Sequence, residues 1–275
     1  MRSEEIFVIR PRGALVLLDL AELWQFRDLL AAFSSRDIRL RYRQTALGGL
    51  WVILQPLLGA LVFAFVLGVI AHIPTSGAPY FIVAYSGMLG WTLFSGSITR
   101  ISNCLVANAS LIRKVFFPRL LLPLGVLPCV LLDFAVGLAL MAVFMSVYRI
   151  QLQWGLLCVP LSVLVLVILA FGAGMIAASL AVKYRDIQYV VPLLMQLLMY
   201  ASPVGYSVGA VPLHLKSLYL LNPLAAPLEN LRWALIGAGT PQLGYLAYSG
   251  LIGIGLVAGG LITFRHFERE FADVI

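Results

Sequence analysis

Charge is scarce in this chain: 11% of its 275 residues are charged, 61% are apolar and the mean hydropathy is +0.98, so water is not its main solvent. Cysteine is scarce as well. Cys104, Cys129 and Cys158 have neither disulfide nor metal spacing, and they read as small packing residues. The three histidines, His72, His214 and His266, lie far apart in sequence, which excludes the short ligand spacing of a structural metal site. Also missing are a G-x-x-x-x-G-K-[ST] phosphate loop, H-E-x-x-H, G-x-S-x-G and any D-x-D pair. No catalytic residue and no bound cofactor are therefore expected on the chain, and the energy for any work must come from elsewhere. No apolar core with a small-residue cleavage site follows Glu4 and Glu5, so the first true span is expected to serve as the targeting signal.

What is present is a series of apolar runs of about twenty residues, each long enough for a hydrocarbon core of roughly 30 Å. Runs bounded by charge predict six spans near 51–71, 80–99, 120–148, 155–182, 188–206 and 244–264. With the N-terminus inside, 16 of the 19 basic residues fall on the cytoplasmic side, and only Arg149, Lys216 and Arg232 fall outside. That asymmetry predicts both termini and residues 100–119 in the cytoplasm. The excess of positive charge flanks apolar runs, which points to anionic lipid headgroups and away from nucleic acid.

Two apolar stretches of fourteen residues, 208–221 and 224–237, are punctuated by Pro212, Pro223, Pro227 and Pro241, and neither is long enough to cross. They are expected either as a re-entrant helix pair between spans five and six or as surface helices in the headgroup region. Ahead of the first span, residues 14–33 set Asp19, Glu22, Gln25 and Asp28 mostly opposite Val16, Leu20, Leu23, Trp24 and Leu30. This predicts an amphipathic interface helix, within an interface segment of residues 14–45. Arg36, Arg39, Arg41 and Arg43 follow within eight residues, as topology anchors or contacts for lipid or substrate phosphate. The expected fold is thus a single all-α membrane domain over 1–275, with a six-span core at 46–265.

Order and detail of several segments carry a resemblance. RDIRLRYRQTALGGLWVILQP at 36–56, NASLIRKVFFPRLLLPL at 108–124, AVKYRDIQYVVPLLMQ at 181–196, SPVGY at 202–206 and LNPLAAPLENLRWAL at 221–235 resemble, in that order, the permeases of type-2 ATP-binding-cassette (ABC-2) polysaccharide exporters. The likeness covers about residues 20–265 and is nearest to O-antigen exporters, with capsule and teichoic acid exporters as sister groups. It implies a homodimer in the bacterial inner membrane, two copies of a separate ATPase subunit that carries ATP and Mg, and a channel for a lipid-linked glycan. It also places a coupling helix within 100–119, where Asn108, Leu111, Ile112, Arg113, Lys114, Phe116 and Pro118 would receive the ATPase's motion.

A glycan path needs polar edges and flat apolar faces, because sugar rings present C–H faces to aromatic rings. Candidates are Phe63, Phe65, Tyr85, Trp91, Phe94, Tyr200 and Tyr206, although for any single one of them an interfacial belt or plain packing is the more ordinary explanation. Three charges remain. Asp133, in the third span, is either a structural hydrogen-bond acceptor or a channel group. Glu229 and Arg232, three residues apart, can pair on one helical face and read as a brace for an outer gate. A secondary transporter would want inverted repeats and several intramembrane carboxylates, and a membrane glycosyltransferase an acidic cluster on a long loop. The sequence has none of these.

Overall fold

The computed structural model describes residues 24–43, 49–75, 77–151 and 153–268, and for 40–43 and 268 the backbone alone. Among the described residues all regular structure is helical. α1 spans Arg27–Arg43; α2 spans Leu50–Phe63 and continues through a π-helical segment, Ala64–Ile70. α3 is Tyr80–Ala107, α4 Ala109–Lys114 and α5 Leu121–Val147. A 3-10 turn at Trp154–Cys158 leads into α6, Val159–Lys183. α7 is Ile187–Tyr200, α8 Leu213–Leu220, α9 Ala225–Ile236 and α10 Leu243–Glu268.

Five of these elements, Leu50–Ile70, Tyr80–Ala107, Leu121–Val147, Trp154–Lys183 and Leu243–Phe267, are long and apolar enough to cross a membrane. The segment expected as the fifth span forms a helix of 14 residues, about 21 Å long at 1.5 Å per residue. Turns over 201–206 follow it. The second span is longer than its run of apolar residues suggests, because α3 continues past residue 99 to Ala107 and takes Arg100 into the helix.

α3 is the hub. Its most apolar window is 78% buried inside the chain, against 11% for α2, so α3 is surrounded by α2, α5, α6, α7 and α9 while α2 leaves most of its surface for something outside the chain. α6 and α10 pack closely because Gly172 faces the backbone of Leu256 and Val257, and Gly260 faces Met175. Small residues at such contacts let helices approach where no hydrophobic force separates protein from lipid.

The two short apolar stretches have different fates. Every residue of α9 except Trp233 is buried, among α3, α6 and α10, whereas Leu213 and Leu218 of α8 are exposed. α1 does not present one polar face to solvent throughout: Phe33 and Ser34 are buried, with Phe33 edge-on to Phe117 at 5.4 Å and the Ser34 hydroxyl donating to the Gly125 carbonyl at 3.1 Å. Residues 14–23 of the expected amphipathic segment lie outside the described residues.

Candidate functional site

Polar side chains in this chain gather at three levels along α3. The first is at its C-terminal end, where α4 turns off. Asn108 caps the turn, its amide donating to the Cys104 carbonyl at 2.8 Å, and its side-chain oxygen accepts from the Arg36 guanidinium at 2.7 Å. Arg36 also pairs with Asp37 at 2.9 Å, so it is committed to protein partners and joins α1 to the start of α4. Arg39 is exposed, and the side chains of Arg41 and Arg43 are outside the described ones. α4 is anchored by Ile112, buried, and by Leu111, half-buried. Arg113, Lys114 and Phe116 point outward, Phe116 at 75% exposure. The helix ends at Lys114 because Val115 turns extended, ahead of the restriction that Pro118 places on Phe117.

The second level lies in the middle of the bundle. Asp133 of α5 is not alone: Arg100 of α3 donates to its carboxylate at 2.7 Å and touches the Cys129 sulfur at 3.3 Å. The sequence reading gave Asp133 no ionic partner, and the structure supplies one. Arg100 is the first residue after the predicted second span, and a partner there is invisible if the span is ended at the first charge.

The third level is at the N-terminal end of α3. Glu229 and Arg232 of α9 form an ion pair at 2.7 Å, and both side chains are fully buried. Arg232 also donates to the carbonyls of Pro203 at 2.6 Å and Val204 at 2.8 Å, and to Val83 of α3 at 3.3 Å. Glu229 accepts from the Ser207 hydroxyl. A buried charge pair is tolerated only when its remaining donors and acceptors are satisfied, and here one guanidinium ties α9, α3 and the 202–207 turn together. Gly87 allows this approach, since a Cβ there would run into the Val204 carbonyl and Arg232. The i, i+3 spacing made the pair legible; Ser207, Gly87 and the carbonyl partners carried no sequence signal.

The aromatic candidates divide. Tyr85, Trp91 and Phe94 are core residues, with the Tyr85 hydroxyl donating to the Gly137 carbonyl at 3.0 Å. Phe65 and Tyr200 are exposed at 60% and 61%. Phe63 is half-buried against Gly205. Tyr206 is half-buried too, its hydroxyl 2.9 Å from that of Tyr219. Tyr219 carries no signal of its own in the sequence; burial, then the hydrogen bond to Tyr206, holds its hydroxyl above the ordinary tyrosine range and keeps it protonated. Among the described residues no three of His, Cys, Asp and Glu gather closely enough to hold a metal ion.

Residues 28–236 match the family model described as ABC-2 type transporter. The chain is 29% identical over 252 residues to the O-antigen export system permease protein RfbA of Klebsiella pneumoniae, covering 90% of this chain and 95% of that protein. It is 29% identical over 256 residues to the protein of the same name from Myxococcus xanthus, covering 92% and 98%. To the polysialic acid transport protein KpsM of Escherichia coli it is 26% identical over 248 residues, covering 86% and 93%.

Proposed function

This multi-pass membrane chain belongs to the ABC-2 type transporter family, and from that premise we propose that it is the permease subunit of an ATP-driven exporter moving a lipid-linked, O-antigen-type polysaccharide across the inner membrane. The observation that carries the reading is the similarity to O-antigen export permeases over 90% of this chain and 95% of the relative. The missing phosphate loop fits a division of labour in which ATP and Mg belong to two copies of a separate ATPase subunit. The similarity to a polysialic acid transporter favours capsule export as the second reading.

Under this reading α7 and the 201–206 turn together complete a sixth crossing, with α9 entering and leaving the outer side. Both termini and α4 then lie in the cytoplasm, where Arg113, Lys114 and Phe116 meet the ATPase and Arg39, Arg41 and Arg43 meet anionic headgroups. The bare surface of α2 is where a second copy completes the homodimer. Of the aromatic candidates, this reading assigns sugar contact to Phe63, Phe65, Tyr200 and Tyr206, which lie outside the buried core, and the bracing of the outer gate to Glu229 and Arg232.

The test is deletion of this chain in its own cell, with surface glycan and intracellular lipid-linked glycan both measured. Loss of the first with build-up of the second, restored only when chain and ATPase are both present, is the expected result. Unchanged surface glycan would sink the reading, and loss of capsule with intact O-antigen would select the second. Reporter fusions after Arg119 should read cytoplasmic.

A further inference from the structure

α3 has the lowest mean hydropathy of the five long helices, and in its C-terminal half most of its polar residues lie on one side, Ser97 and Ser102 being the buried exceptions. Between Trp91 and Ala107 the residues left partly exposed are Thr92, Ser95, Gly96, Thr99, Arg100, Asn103, Val106 and Ala107, which recur every three to four positions and so share one helical face. The buried positions between them are mostly apolar, among them Leu93, Phe94, Ile98, Ile101 and Leu105. A helix long enough to span therefore has a soluble protein's amphipathicity, with its polar side turned out of the chain. Beside that side, between α2, α3 and α5, lies a cavity of about 90 Å³ lined by Gln55, Thr92, Ser95, Arg100 and Asp133 among others. That is room for a few waters at about 30 Å³ each. A guanidinium, a carboxylate and two amides are too costly to set against lipid tails, and groups of this kind in spans face protein or a water-filled path.

We propose that this face, centred on the Arg100–Asp133 pair, is a hydrated track that binds the hydroxyls of the glycan as it passes. The inference rests on the exporter reading and adds the residues that hold the polymer. Arg100 and Asp133 balance each other's charge, so the track suits a neutral, hydroxyl-rich chain better than an anion. A carboxylate accepts and a guanidinium donates through paired atoms, which fits two neighbouring hydroxyls of one sugar ring. The Thr92 and Ser95 hydroxyls donate to their own helix, to the carbonyls of Leu89 at 3.0 Å and Trp91 at 2.8 Å, and so present their oxygens as acceptors.

Single cysteines at Thr92, Ser95, Thr99 and Asn103 test this, in a variant lacking Cys104, Cys129 and Cys158 that is first shown to export glycan with its ATPase. A membrane-impermeant thiosulfonate reacts with thiolate, which forms in water and not in hydrocarbon. Track positions should react at least about tenfold faster than cysteines at Leu132 and Leu251, which are exposed on the apolar surface, and should be protected when ATP depletion stalls glycan in the permease. Rates equal to those controls, or disulfides forming between copies across this face, would refute the track. So would fast labelling without protection, which would leave a water path that glycan does not touch. A second measurement uses the double variant Arg100→Gln/Asp133→Asn, which removes both charges together: export should fall about tenfold at equal amounts of assembled, ATPase-bound permease, and undiminished export would count against the pair's role. If the unmodified chain and its ATPase move no glycan, the exporter reading itself has failed, whatever the thiols report.

Discussion

At the scale of single residues, the two ion pairs make different demands. Arg232 is fully buried with four acceptors around it, so Arg232→Ala leaves Glu229 buried and unbalanced at a cost of about 3–5 kcal/mol. The expected outcome is a large fall in the melting temperature of purified permease. Gly87→Ala should act through the same contact, because the new methyl displaces the Val204 carbonyl from the guanidinium. Arg100 and Asp133 are partly exposed, at 30% and 13% of their side chains, and water reduces what each loses alone. Asp133→Asn, which a lone acceptor would tolerate, should here destabilise by stranding Arg100. The Arg100→Gln/Asp133→Asn double variant should recover part of that loss, with a coupling of roughly 0.5–3 kcal/mol in a thermal-stability cycle; strictly additive losses would mean the pair does not act as a unit.

At the scale of elements, α4 combines a buried anchor with an exposed tip, and the two should separate experimentally. Phe116 is three-quarters exposed, so Phe116→Ala should change stability by no more than about 0.5 kcal/mol. Under the exporter reading Phe116 anchors the ATPase interface, and the same change should weaken ATPase binding by about 2 kcal/mol, some thirtyfold, measured by titration of the purified subunits. The Arg113→Glu/Lys114→Glu variant should leave assembly intact and uncouple ATP hydrolysis from glycan export; wild-type export in that variant would remove α4 from the coupling path. Arg36 belongs to the same device, since its bond to Asn108 ties α1 to α4. Under the exporter reading Arg36→Gln should therefore weaken the coupling of ATP hydrolysis to export while the permease still assembles in the membrane.

At the scale of the whole molecule, burial divides the aromatic residues into two groups with different phenotypes. Trp91 lies in the core, and Trp91→Leu should reduce the amount of assembled permease, as large-to-small core changes do. Tyr200→Leu keeps much of the apolar volume at an exposed position but removes the flat face that, under the exporter reading, packs on a sugar ring. Export per assembled permease should slow while assembly survives. Surface glycan normalised to extracted permease separates the two, and the reverse pattern would place the path on the other side of α3.

Solvent class was legible in the sequence because it follows from composition and run length alone: 61% apolar residues in runs of about twenty specify membrane helices in whatever order they pack. The Glu229–Arg232 pair was legible because its three-residue spacing is local. Arg100 with Asp133 and Arg232 with Pro203 and Val204 were not, since those partners lie 33, 29 and 28 positions apart and nothing local couples them. Nor did the apolar pattern separate core aromatics such as Trp91 from outward ones such as Phe65, because a membrane helix is apolar toward lipid and toward its neighbours alike. Hydrophobicity decided which segments leave water; only the packing of α3 against its neighbours decided which sides of them are left open.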